Sequence, residues 1–419
     1  MPIDPVLPGG FRDYLPQDMI PRQRMFDIIR SVFERFGFVP LDTPAIEREA
    51  TLTGGDPNFS KQIFRIKKGG RETAGEELAL RFDLTVPLAR VTAQYPSELR
   101  RPFKRYQVGT VWRGEKPQAG RFYEFVQFDA DIVGSASMMA DAEIVAVMYE
   151  TMTALGFSRF VIRVNNRKIL NGLAEYAGFS PEESPKVLRV IDKLDKAGWN
   201  GVSRELGVGI PAEVAGEADV SEPREMVPGI GLTPSAIAAI KQFIDLRAGT
   251  QRETLAAVGE LMASSPIAQE GVRELQEVVE CGEVLGVPSE AWNIDLSVAR
   301  GLGYYTGPVF ETILTDLPSI GSVFSGGRYD DLVSRFGSTM VPATGASVGV
   351  DRLFAAMEKL KLVKQERAMA KVLILNFEGT ARSSCARIAT ALRKGGVPTE
   401  IYLGAEATLR GQLAFAVRQ

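Results

Sequence analysis

The sequence predicts an α+β fold: an antiparallel sheet flanked by helices, interrupted by a helical insertion and followed by a partial C-terminal α/β domain. Three observations carry that reading. Arg101 to Gly134 reads as a long antiparallel hairpin with one apolar and one polar face, Gly172 to Pro288 turns to helical segments split by Gly/Pro/Asp stretches, and Lys371 to Gln419 follows a β-α-β-α order. With 419 residues, 45% of them hydrophobic, the chain has material for two or three cores.

From the N-terminus, Ile20 to Phe36 reads as an amphipathic helix with Ile20, Met25, Ile28, Ile29, Val32 and Phe33 on one side and Gly37 as its stop. Phe38 to Glu47 carries Pro40 and Pro44 in an extended run. In the hairpin's second strand, Val126, Phe128, Ala130 and Ile132 alternate with Phe125, Gln127, Asp129 and Asp131, so the two sets leave opposite faces. Ser180, Pro181 and Glu183 read as a capping box, and Thr233 with Pro234 opens a helix carrying Ile237, Ile240, Phe243 and Ile244. Strand texture returns after Ile294 in ARGLGYYTGPVFETIL and Val323–Tyr329, and GASVGVDRLFAAMEKL reads as strand into helix. VLILNF reads as a buried strand, Thr380–Lys394 as a helix, Thr399–Leu403 as a second strand and Glu406–Val417 as a second helix. Such a unit needs further parallel strands to cover its sheet, so a truncated or abbreviated domain is expected.

The chain has no histidine, which excludes histidine bases, Ser-His-Asp triads and histidine-ligated metals. Its two cysteines, Cys281 and Cys385, are too far apart in sequence for a ligand motif and read as reduced and structural. No apolar run is long enough for a membrane span and no signal peptide opens the chain, so a soluble cytoplasmic protein is expected. A net charge of −3 argues against indiscriminate nucleic-acid coating, yet the stretch from Arg100 to Arg121 holds seven basic residues against Glu115 alone. That patch suits phosphates and an RNA end; on a surface hairpin it would also serve solubility.

The polar face of the hairpin allows two readings. Its charges could be a solvated face laced with cross-strand ion pairs. The addition of Phe125 beside Gln127 and Asp131, with Arg113, Glu115 and Arg121 around the turn, fits better a pocket for an aromatic polyanion: a ring to stack on, arginines for phosphate oxygens, carboxylates for cationic groups.

The segment WRGEKPQAGRFYEFVQFDADIVG resembles the second signature motif of class II aminoacyl-tRNA synthetases, and within them histidyl-tRNA synthetases. LRFDLTVPLAR (Leu80–Arg90), ARGLGYYTGPVFE (Ala299–Glu311) and GASVGVDRL (Gly345–Leu353) match the same family in the same order, and the similarity begins at LPGGFRDYLP. The resemblance implies a class II catalytic core in two parts, residues 1–170 with motifs 1 and 2 and residues 289–366 with the histidine-specific motif and motif 3. It further implies a helical insertion over 171–288 and a partial anticodon-binding α/β domain over 370–419.

The activity implied is ATP-dependent formation of histidyl-adenylate followed by transfer to tRNA-His, by a homodimer built on the helix and strand of the first motif. Matching residues imply that Arg113 holds the α-phosphate, Arg121 the outer phosphates, and Phe125 and Glu115 the adenine, with Arg352 closing the ATP clamp. Arg300 matches the arginine set between substrate carboxylate and α-phosphate, and with Arg113 and Gln127 forms the catalytic set. The substrate ammonium would meet Asp83, Thr85 and Gln127, and the imidazole would sit between Asp131 and Tyr305 with Tyr304 beside it. Gln118 is the candidate for the extra 5′ guanosine of the tRNA, and Mg²⁺ would arrive with ATP, without a protein cage.

Plainer roles exist for several of these residues. Tyr304 and Tyr305 could be core aromatics, Asp83 could cap a helix at Leu84, and Arg300 could be a buried ion pair, although Gly301 and Gly303 beside it favour close approach to a ligand. The rival function is the non-catalytic, histidine-binding regulatory subunit of ATP phosphoribosyltransferase; the presence of Arg113, Arg121, Arg300 and Arg352 together separates the two.

Overall fold

The computed structural model describes residues 3–54, 62–67, 77–115, 122–211, 226–299, 303–337, 339–364, 366–376 and 382–418, with backbone alone for 209–211, 226 and 227. Helix α1 (Pro16–Arg35) starts four residues before the expected Ile20, because Pro16 suits a first helical turn, and it continues through Pro21 in its interior. Strands β1 (Val39–Pro40) and β2 (Ile46–Arg48) follow, then α2 (Glu49–Thr53), β3 (Arg65–Ile66), β4 (Leu78–Leu80) and α3 (Thr85–Gln94). The predicted hairpin is β5 (Phe103–Trp112) and β6 (Glu124–Val133), paired antiparallel over ten residues each. Next come α4 (Met138–Ala154) and β7 (Phe160–Asn166).

The stretch 167–284 contributes α5 (Arg167–Asn171), α6 (Leu173–Ala177), α7 (Ser184–Ile191), α8 (Leu194–Leu206), the short β8 (Gly209–Pro211) and β9 (Met226–Pro228), α9 (Pro234–Asp245), α10 (Gln251–Leu261) and α11 (Pro266–Val284). Ser180 does not form the expected capping box. Its side chain accepts from the Glu182 N–H at the start of a short 3₁₀ turn, and the reciprocal box lies instead at Thr250 and Glu253, opening α10. Strands β10 (Trp292–Ile294), β11 (Pro308–Leu314), β12 (Phe324–Arg328) and β13 (Ala343–Gly349) then lead into α12 (Val350–Lys359).

Eight strands make the main sheet in the order β1-β5-β6-β13-β12-β11-β7-β10, antiparallel except for parallel pairs at its two edges. Ladder registers align residues from strand to strand, and directly opposed antiparallel residues share a face. One row, Phe128–Val348–Phe324–Thr312–Ile162, is buried against α1, α4 and α11. The neighbouring row, Gln107–Asp129–Ser347–Ser325–Glu311–Arg163, faces the other way and is polar throughout. The period-two argument therefore applies across these strands: one face is apolar core, the other carries the polar row.

The apolar core runs without a break from the sheet through α4 and α11 into α7, α9 and α10, taking in Val187, Ile240, Phe243, Leu255 and Leu275. A second cluster on the polar side joins Phe82, Val86, Leu88, Tyr304, Tyr329 and Ala343. After the main sheet, β14 (Val372–Ile374), α13 (Arg382–Lys394), β15 (Thr399–Ile401) and α14 (Leu409–Arg418) form a two-stranded parallel unit. VLILNF was expected to be a buried strand, but only three of its residues are paired and these are half-buried, since a lone partner strand covers one edge.

Candidate active site

Strands β5, β6 and β13, the start of α12 and the turn before β12 enclose a cleft of about 350 Å³ on the polar face. Arg113, Glu115, Phe125 and Gln127 of the hairpin line it together with Arg352 from far along the chain. The Arg113 guanidinium lies 5.2 Å from the Phe125 ring centre and its Nε donates to the Phe82 carbonyl at 3.1 Å, which holds the cation beside the wall of the cleft. On the opposite wall Arg352 donates to the Ser322 carbonyl at 2.6 Å. Gln127 donates to Ser347 Oγ at 2.6 Å, which leaves its buried carbonyl oxygen without a hydrogen-bond partner among the described residues. An unpaired buried acceptor is costly, and a donor-bearing ligand such as an ammonium would satisfy it.

Beside the cleft, toward the Asp131 row of the sheet, lies a buried carboxylate group. Asp83 accepts from the Val86 N–H at 3.1 Å and from the Tyr304 hydroxyl at 3.4 Å. It thus caps the first turn of α3, the plainer of the two roles the sequence allowed. Burial raises its pKa to about 6, opposed by the Val86 N–H and the Arg113 charge. Asp131 accepts from the Tyr329 hydroxyl, and its other oxygen lies 2.9 Å from the Arg105 guanidinium, off the hydrogen-bond direction. Burial raises the pKa of Asp131, with Arg105 and the Tyr329 hydroxyl opposing. Asp129 is raised too by burial, against Arg105, with the Asp131 charge adding to the shift.

Tyr304 and Tyr305 pack edge to face at 5.2 Å, and Tyr304 meets Tyr329 at 5.9 Å. Thr85 opens α3. Two glycines make room for this cluster. A Cβ on Gly345 would sit 2.0 Å from Asp131 Oδ1, and one on Gly327 would sit 3.0 Å from the Tyr305 ring.

Arg300, Arg121 and Gln118 lie outside the described residues. The approach to Arg300 is described: Asn165, in the Asp131 row of the sheet, donates to the carbonyls of Leu296 and Val298 at 3.3 and 3.0 Å, and Asp295 Oδ1 accepts from the Ser297 N–H and hydroxyl. The chain leading to Arg300 is thereby fixed to the sheet.

Sequence reasoning gave no individual role to Asp129, Tyr329 or Ser347, and it counted Arg105 in the basic patch suited to phosphates and an RNA end, whereas Arg105 is wholly buried against Asp131. Asp129 shares its parity with Gln127 and Asp131, a signal that was present. Arg105 and Tyr329 needed the registers Arg105↔Asp131 and Arg328↔Thr344 to be known. Among the described residues no three or more His, Cys, Asp or Glu side chains are grouped to hold a metal ion.

A family model described as histidyl-tRNA synthetase matches residues 10–353. The histidine–tRNA ligase of Clostridium tetani is 41% identical over 406 residues, covering 96% of this chain and 86% of the relative. That of Wolinella succinogenes is 40% identical over 402 residues, covering 96% and 85%. A crystal structure of histidyl-tRNA synthetase from Nostoc sp. PCC 7120 superposes with a TM-score of 0.83 at 31% identity, covering 100% of this chain and 90% of that one. A Bacillus halodurans structure described as an ATP phosphoribosyltransferase regulatory subunit/histidyl-tRNA synthetase has a TM-score of 0.77 at 22% identity, a likeness of fold alone.

Proposed function

Since the chain belongs to the histidyl-tRNA synthetase family, we propose how its residues divide the ligase reaction between them. The protein is an aminoacyl-tRNA ligase that activates histidine with ATP to histidyl-adenylate and transfers the histidyl group to tRNA-His; the regulatory-subunit alternative is not favoured. The family works with ATP and Mg²⁺, and MgATP enters the reaction as substrate.

In the first step the histidine carboxylate attacks the α-phosphate in line and pyrophosphate leaves. The nucleophile is already ionised, so the protein's task is alignment and charge neutralisation rather than proton removal. Phe125 and Glu115 take the adenine, Arg113 the α-phosphate and Arg352 the far side of the nucleotide. Arg121 takes the outer phosphates, and Arg300 bridges substrate carboxylate and α-phosphate.

The histidine ammonium is received by Asp83, Thr85 and the unpaired carbonyl of Gln127, and the imidazole lies between Asp131 and Tyr305 with Tyr304 behind. Arg105 and Tyr329, which already engage Asp131, fix that carboxylate and leave it less able to swing toward a wrong side chain. Pairing of both ring nitrogens would discriminate by about 10⁴ or more against amino acids lacking them. Gln118 contacts the tRNA end.

We also place catalysis in a cytoplasmic homodimer. Val39 and Ile46, exposed on the segment after α1, are the apolar surface that a partner would cover. Among the described residues no helix is long and apolar enough to cross a membrane. The domain division at 170/171, 288/289 and 366/370 is likewise part of this reading, with 370–419 directed at the anticodon.

The observation that carries the site assignment is the convergence of Arg113, Phe125, Gln127 and Arg352 on one cleft beside the Asp83 and Asp131 carboxylates. Histidine-dependent exchange of labelled pyrophosphate into ATP tests it, with the chain compared against Arg113→Ala and Arg300→Ala. Exchange that collapses in both variants supports the roles; exchange unchanged in either removes that residue from the catalytic set, and histidine binding without any exchange would point to the regulatory function.

A further inference from the structure

The LPGGFRDYLP segment matches the family but takes no part in the roles above. Residues 10–14 run along the tip of the β5–β6 hairpin as a strap. The Gly10 carbonyl accepts from the Tyr123 N–H at 2.9 Å, while the Tyr123 carbonyl accepts from the Arg113 N–H at 2.9 Å, so strap, Tyr123 and Arg113 are hydrogen-bonded in series. Phe11 packs against Tyr123 at 5.9 Å and Phe64 at 6.4 Å. The exposed Arg12 guanidinium lies 4.0 Å from the Tyr14 ring centre and 5.3 Å from that of Phe122, and Phe122 lines the cleft.

Tyr14 then turns inward and donates to Asp351, the residue before Arg352. The same Asp351 oxygen meets Arg22 of α1 at 2.5 Å, and the other accepts from the Val126 N–H, next to Phe125, at 3.0 Å. Arg22 is 2% exposed and its guanidinium also stacks on the Tyr14 ring at 4.3 Å. One carboxylate thus ties the backbone beside Phe125 to the first turn of the helix that carries Arg352. Tyr14 and Arg22 fix its orientation, with burial and the Asp351 charge raising the Tyr14 pKa so that the phenol stays a donor. These contacts lead to the nucleotide cleft rather than to Asp83, Asp131 or the tyrosine cluster, so the strap addresses one half of the active site.

We propose that Arg12 and Tyr14 are positioning residues for the nucleotide, holding the Phe122–Phe125 wall and, through Asp351, Arg352 at the spacing that ATP requires. The inference rests on the assignment of this cleft to ATP. It predicts a selective defect: weaker ATP use with histidine use intact.

The test is pyrophosphate exchange by the full chain, Tyr14→Phe and Arg12→Ala, with KM measured separately for ATP and histidine. Loss of a hydrogen bond to a charged group should raise KM for ATP about tenfold in Tyr14→Phe, with a smaller rise in Arg12→Ala and KM for histidine within about twofold in both. Equal rises in both KM values would reduce the strap to general stability and overturn the proposal, as would two unchanged values. Urea midpoints check that the variants fold; should Tyr14→Phe not fold, the exposed Arg12→Ala decides by the same KM split. A parent chain that shows no histidine-dependent exchange would sink the ATP assignment, whereas an active parent with unaffected variants would sink only the role of the strap.

Discussion

Arg105 and Asp131 face each other across the β5–β6 ladder, 2.9 Å apart and both almost wholly buried, beneath the pocket assigned to histidine. Asp129 and Asp83 lie in the same field, so one buried cation serves several carboxylates. Removing it leaves the buried Asp131 without its ion-pair partner, and such uncompensated burial costs about 3–5 kcal/mol. Arg105→Met should therefore lower the free energy of unfolding by that order, read from urea titration at pH 7.5. A loss below about 1 kcal/mol, the range of surface pairs, would mean that the pair is far better hydrated than its burial implies.

Asp83 holds its proton more tightly when folded, with a pKa of about 6, than in the unfolded chain at ~4. Between those values the folded state binds more protons, so this group's contribution to stability falls as pH rises from 4 through 6 and is level above. Asp83→Asn abolishes the dependence. Its thermal midpoint should gain on that of the parent chain between pH 4.5 and 7.5 in the absence of ligand, and a constant offset between the two would contradict the buried, raised carboxyl.

Tyr329 donates to Asp131 without lining the cleft proposed for ATP. Tyr329→Phe should raise KM for histidine about five- to tenfold, the effect of one hydrogen bond to a charged group, and leave KM for ATP unchanged. The converse pattern, an ATP effect without a histidine effect, would put the imidazole elsewhere.

Gly345 is required by contact rather than by backbone angle. An added Cβ would lie 2.0 Å from Asp131 Oδ1 and 2.8 Å from the Ala130 carbonyl, in the middle of the β6–β13 ladder. Gly345→Ala should cost roughly 1–3 kcal/mol as overpacking and weaken histidine binding at the same time, which a denaturation curve and a calorimetric titration with histidine would resolve. Normal binding in a destabilised variant would mean that Asp131 is not at the pocket.

What could be read from the sequence was what local periodicity encodes. Alternation in β6 put Phe125, Gln127 and Asp131 on one face, and the motifs gathered Arg113 and Arg352 beside them, because such patterns depend only on strand parity and family order. The partners of those residues are separated by topology instead. Tyr329 reaches Asp131 from 198 positions away through β12 and β13, and Asp351 meets Tyr14 and Arg22 through helix packing that no periodicity announces. Ser180 misled because a capping box needs an α-turn behind it, and Pro185 in the next helix's first turn sets that start at Ser184 instead.

The unbroken apolar core has a thermodynamic meaning. Leu275 and Val279 of α11 share one cluster with Ile162 of the sheet and with Ile240 and Leu255 of the outer helices, so the outer helices have no separate interior on which to stand once the sheet is lost. They should melt together with it as one cooperative unit, and a ligand seated on the far face of the sheet would slow amide exchange in α9 and α10 without touching either helix.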